Sequence, residues 1–90
     1  MDDKLILKLL ASQRQLLLDY KSYILDLDIV RAISVAVKKS NNYEVYITYE
    51  DFEELIGYVC AIANHEEDKK AADKFHRLAD YLEDCFAEYK

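Results

Sequence analysis

The sequence contains no proline and one glycine, so it lacks most of the residues that mark turns and chain breaks. A glycine-rich phosphate-binding loop is therefore excluded. Two cysteines, Cys60 and Cys85, are too few and too far apart for a disulfide framework, which indicates a cytoplasmic protein with reduced thiols. No apolar stretch reaches the length of a membrane span, and the apolar run at residues 5–10 is too short for a signal peptide.

Charge is distributed unevenly along the 90 residues, whose formal net charge is −6. Residues 1–40 hold seven Lys/Arg and five Asp/Glu, a balance of +2, whereas residues 41–90 hold five and thirteen, a balance of −8. Nucleic acids and anionic membranes require clustered cations, so neither is an expected partner. The length indicates a single domain over residues 1–90, and the high apolar content of so short a chain favours a homodimer.

The spacing of apolar residues in the first half of the chain predicts one helix and one hairpin. Recurrence at helical intervals predicts an N-terminal helix at about residues 2–27, with Asp2 and Asp3 at its start. Alternation and β-branched residues predict a β-hairpin with strands at about 29–37 and 43–48 and a five-residue loop.

Two amphipathic stripes in the second half predict an antiparallel helical pair at about residues 49–63 and 66–89, with Thr48 capping the first helix. The expected fold class is therefore α+β and mostly helical. An alternative interpretation places residues 29–39 in a helix, and the alternative fold is an all-α four-helix bundle.

Residues that could support catalysis or bind a metal are sparse. The two histidines, His65 and His76, are eleven residues apart, and on one helix they would lie roughly 16 Å apart, too far to share an ion. No nucleophile is followed by a base at a useful spacing. We therefore expect no enzyme activity, no metal site and no cofactor.

Residues 41–68 form an acidic segment with eight Asp/Glu, no Lys/Arg and four of the eight tyrosines. Tyrosine is enriched at interface hot spots, and uncompensated carboxylates attract a cationic protein partner. The sequence thus favours a small acidic protein-interaction module that occludes a basic protein surface, as an inhibitor or immunity-type protein would. The candidate partner surface consists of Glu44, Tyr46, Glu50, Asp51, Glu53, Glu54, Tyr58, Glu66, Glu67 and Asp68.

Gly57 and Ala61 are one turn apart on the first helix of the pair and predict a groove where another helix could approach closely. This groove favours the alternative function, a structural dimerisation or scaffold subunit. A weaker alternative is a small-ligand sponge with its pocket at a protomer interface.

Overall fold

The chain folds as an α+β protein that is mostly helical, as predicted. The structure is a computed structural model that describes residues 4–89. Its elements are β1 (Lys4–Leu10), α1 (Ala11–Asp19), a 3-10 turn (Lys21–Tyr23), α2 (Leu27–Ser34), β2 (Val37–Lys39), β3 (Asn42–Thr48), α3 (Tyr49–His65) and α4 (Lys69–Ala87). The strands form one antiparallel sheet in the order β1-β3-β2, so the all-α four-helix bundle is wrong. No helix within residues 4–89 has the length and apolar character needed to cross a membrane.

Contacts divide the described residues into two compact units, one ending at Phe52 and one beginning at Glu53. The first unit contains the sheet, α1 and α2, and the second contains most of α3 and all of α4. A single domain over residues 1–90 stays a prediction, and the two units are described separately.

The predicted N-terminal helix at residues 2–27 is wrong, because its first described residues form β1. Leu7 and Leu9 are buried and alternate with exposed neighbours along β1, which pairs with the whole of β3. The leucines of this segment fit both a helical and an alternating period, and pairing with β3 selects the strand. A helix does follow, from Ala11 to Asp19. Residues 2 and 3 lie outside the described part of the chain.

The strand predicted at residues 29–37 is also wrong, because this region forms α2 followed by the short strand β2. The Asp26 side chain accepts a hydrogen bond from the Asp28 N–H at 2.9 Å and caps the first turn of α2. Ile29 and Ile33, one turn apart, are both fully buried. The alternative interpretation, a helix starting at residue 29, is correct as far as Ser34.

The hairpin itself is present, but it is shorter and tighter than predicted. β2 pairs with β3 from Val37 opposite Glu44 to Lys39 opposite Asn42, and β3 confirms the strand predicted at 43–48. Only Ser40 and Asn41 join the strands. Ser40 has a φ of 51°, and it is the first of the two turn residues, which is typical of a type II′ turn.

Arg14 connects three elements of the first unit. From α1 its guanidinium donates to the carbonyl oxygens of Ile33 at 3.0 Å and Ser34 at 2.9 Å, which are at the end of α2. The same guanidinium lies 4.4 Å from the centroid of the Tyr43 ring on β3. The side chain therefore holds α1 and α2 against the inner face of the sheet.

The predicted antiparallel helical pair is confirmed by α3 and α4. The Thr48 hydroxyl accepts a hydrogen bond from the Asp51 N–H at 3.1 Å, and the Asp68 carboxylate accepts one from the Lys70 N–H at 3.0 Å. These two contacts cap the helices. Buried apolar side chains line each helix of the second unit: Leu55, Val59, Ile62, Ala63, Phe75, Leu78, Ala79, Leu82 and Phe86.

Candidate functional site

One face of the three-stranded sheet is open to solvent. Helices α1 and α2 contact the sheet, and the side chains of Leu7, Val45 and Ile47 on its inner face are buried. The register places a second set of side chains on the opposite face, which we call the open sheet face. Its residues are Lys4, Ile6, Lys8, Leu10, Val37, Lys39, Asn42, Glu44, Tyr46 and Thr48.

The open sheet face is basic, with an apolar centre. Ile6 lies directly opposite Tyr46 on the neighbouring strand, and each is 41% exposed. Lys4 and Lys8 flank Ile6 on β1, and Lys39 lies opposite Asn42 on β2; with Glu44 the three lysines give a balance of 3 − 1 = +2. The structure thus places two residues of the candidate partner surface, Glu44 and Tyr46, on a sheet face that also has three lysines.

Tyr46 and Glu44 form a pair on this face. The Tyr46 hydroxyl donates a hydrogen bond to the Glu44 carboxylate at 3.2 Å. This bond, together with the negative charge of Glu44, raises the pKa of Tyr46. The exposed Tyr46 ring adds apolar surface beside Ile6 on this face.

A cavity of about 350 Å³ lies where α2 meets the end of β3. Tyr46 and Asp51 of the candidate partner surface both line it, together with Asp28 and Arg31 of α2. Burial raises the pKa of Asp51, and the neighbouring carboxylates of Asp26 and Asp28 raise it further, whereas a hydrogen bond between the Thr48 side chain and the Asp51 carboxylate lowers it. Both signs of charge occur around this cavity, so it does not select a cation or an anion by charge alone.

The second unit contains a cleft of about 460 Å³ beside the start of α3 and the end of α4. We call it the acid-lined cleft. Its residues are Glu53, Ile56, Glu83, Asp84, Phe86 and Ala87. Three of them are carboxylates, and no Lys or Arg is among the described residues that line it. Its apolar part comes from Ile56, Phe86 and Ala87.

The sequence identified only Glu53 of the three cleft carboxylates. Glu83 and Asp84 lie outside the acidic segment of residues 41–68, and they reach the cleft because α4 returns antiparallel to α3. The same packing raises the pKa of the half-buried Cys60 thiol, first through burial and then through the charges of Glu83 and Asp80. Thr48 and Asp68 mark the starts of the two helices. If the helices are aligned antiparallel from these caps, the end of α4 lies beside the start of α3, where Glu53 is.

Two of the remaining acids of the candidate partner surface take part in local structure. Glu66 accepts a hydrogen bond from the Asp68 N–H at 3.2 Å, and Asp68 caps α4, so both hold the turn between the helices. Glu50, Glu54 and Glu67 are exposed, and Tyr58 is half-buried.

Gly57 and Ala61, the predicted groove, lie on the exposed side of α3. A Cβ atom added to Gly57 would have no heavy atom within 4 Å, apart from its chain neighbours and the helix's own backbone. Packing within the described chain therefore does not require a glycine at this position.

Comparisons of the chain with protein-family models, with curated proteins and with solved structures gave no match.

Proposed function

We propose that the chain is a small acidic protein-interaction module whose acid-lined cleft binds a basic protein surface. The observation that supports this is the composition of the cleft: three carboxylates around an apolar floor, with no lining cation in the described residues. Such a site favours cations and repels phosphate groups.

Lysine and arginine side chains fit both parts of this cleft. Their aliphatic stems can pack along Ile56 and Ala87, while the charged ends remain near Glu53, Glu83 and Asp84. Charge-assisted hydrogen bonds to carboxylates are among the stronger polar contacts in proteins. A partner with one or two protruding cations would thus gain both apolar contact and charge pairing.

A module of this kind acts by covering the partner. Basic surfaces are the usual contact surfaces for nucleic acids, since phosphate groups require cations. By occupying such a surface with carboxylates, the chain would block it, which is the action of an inhibitor or immunity-type protein. The overall charge of −6 would speed the encounter at low ionic strength.

The proposal is tested with a fluorescent oligolysine peptide, whose binding is followed by anisotropy. Binding should weaken strongly between about 0.1 M and about 1 M NaCl, where the Debye length falls from about 10 Å to about 3 Å. The cleft variant Glu53→Gln/Glu83→Gln/Asp84→Asn removes three exposed carboxylates, each of which would pair with a lysine of the peptide. Each such pair contributes about 0.2–1 kcal/mol, so affinity should fall roughly 3-fold to 160-fold.

The matched control, Asp19→Asn/Glu67→Gln/Asp73→Asn, removes three exposed acids away from the cleft lining and changes the net charge equally. It should retain most of the affinity. Equal losses in both triple variants would show that net charge alone attracts the peptide, and the assignment to the cleft would then be abandoned.

A further inference from the structure

We propose that the open sheet face of one copy of this chain docks on the acid-lined cleft of a second copy. The inference rests on the proposed function and names a second copy as a cationic partner of the cleft. It starts from two surfaces of one sequence that have opposite charge and that both include apolar side chains.

Charge complementarity supports this pairing. The open sheet face has three lysines and one glutamate, whereas the cleft has three carboxylates and no lining cation in the described residues. A lysine from the sheet face that enters the cleft would lay its stem along Ile56 and Ala87. Its ammonium group would then reach the cleft carboxylates, and no Lys or Arg among the described lining residues would compete for them.

The apolar centre of the open sheet face supports a protein as occupant. Ile6 and Tyr46 are direct cross-strand neighbours, and Val37 lies opposite Glu44 at the other side of β3. Val37 is 43% exposed, close to the value for the other two. Contiguous exposed apolar side chains with a polar rim are typical of protein–protein contact surfaces.

Like charge disfavours the simpler symmetric arrangements. Two sheet faces packed on each other would bring lysines together, and two clefts packed on each other would bring carboxylates together. Pairing a sheet face with a cleft avoids both. Because each copy has one surface of each kind, the contact either forms twice in a twofold dimer or forms once per pair, as a heterologous contact, in a ring or a longer assembly.

Sedimentation equilibrium of the full chain over a wide range of protein concentration tests the first consequence. Association should increase with concentration and decrease as NaCl is raised, and either a closed dimer or a longer assembly supports the contact. A wild-type chain that stays monomeric across the range at low salt would overturn the proposal without any variant.

A charge exchange tests which surfaces meet. The sheet variant Lys4→Glu/Lys39→Glu and the cleft variant Glu83→Lys/Asp84→Lys change only exposed side chains. Each should lose self-association at least tenfold, because its two surfaces then have the same sign. An equimolar mixture should associate again, because the unchanged cleft of the sheet variant can bind the unchanged sheet face of the cleft variant. The two altered surfaces also have opposite charge.

The control Lys21→Glu/Lys69→Glu makes the same change in net charge as the sheet variant at exposed positions elsewhere, and it should associate like wild type. Failure of the mixture to associate, with both variants folded by circular dichroism, would refute the pairing. If the wild-type chain binds oligolysine through its cleft but does not self-associate, only this inference fails. If it does neither, the proposed function fails as well.

Discussion

Replacing Gly57 with alanine should stabilise the isolated protein. Gly57 is the central residue of the 17-residue helix α3 and is exposed. A glycine inside a helix destabilises it by about 0.8–1 kcal/mol relative to alanine, because its backbone loses more freedom on folding. No heavy atom lies within 4 Å of the added Cβ beyond the helix's own backbone and the chain neighbours, so no steric term opposes the gain. We therefore expect nearly the full increase, about 0.8–1 kcal/mol.

Urea unfolding followed by circular dichroism at 222 nm measures this change. With a slope of about 1 kcal/mol per molar, the midpoint should rise by roughly 0.8–1 M, and Tm should rise by about 4–8 °C. Ala61→Gly, one turn further along the same exposed side of α3, is the matched control and should lower stability by a similar amount. A neutral or destabilising Gly57→Ala, with Ala61→Gly behaving as expected, would refute the reasoning. It would show that something in solution closely approaches Gly57.

Three further changes test individual features by thermal or urea unfolding. Ser40→Gly should stabilise the hairpin by about 0.5–1 kcal/mol, because Ser40 has a φ of 51°, and Asn41→Gly, at the other turn position, should give no gain. Thr48→Ala should cost about 1 kcal/mol by removing the 3.1 Å cap of α3, and Thr48→Ser should retain most of the stability. Asp51→Asn should increase stability at pH 7, since a raised pKa means that the charged form is the less favourable one in the folded protein. That gain should vanish below the ordinary aspartate pKa of about 3.9; a gain that persists at low pH would contradict it.

The second half of the chain could be predicted because local signals agree there. Thr48 precedes a long amphipathic stripe and caps its helix as predicted, whereas periodicity alone predicts the second helix. The structure starts that second helix at Lys69 with Asp68 as its cap, a few residues later than the predicted start at about residue 66. The alternation of β3 also predicts which side chains face inward: Val45 and Ile47 are buried, whereas Tyr46 is exposed.

The secondary structure of the first half of the chain depends on contacts between residues that are distant in sequence. Residues 4–10 fit two periods, and only pairing with residues 42–48 decides between them. Ile29, Val30 and Ile33 favour a strand by their β-branching, but the Asp26 cap and the burial of Ile29 and Ile33 on one side stabilise a helix. The missed strand also explains the incomplete site, since Lys4 and Lys8 reach Glu44 and Tyr46 only through β1.

The sheet order has a consequence for how the chain folds during synthesis. β1 pairs only with β3 within residues 4–89, and residues 11–41 lie between them, so the pair must close a long loop. On the ribosome, β1 is complete well before Thr48 has been added, whereas β2 and β3 can meet as soon as both have emerged. During that interval the leucine-rich segment of β1 has no partner strand, because β3 has not yet been synthesised. Lys4 and Lys8 interrupt its apolar run, and such charges limit aggregation of exposed strands.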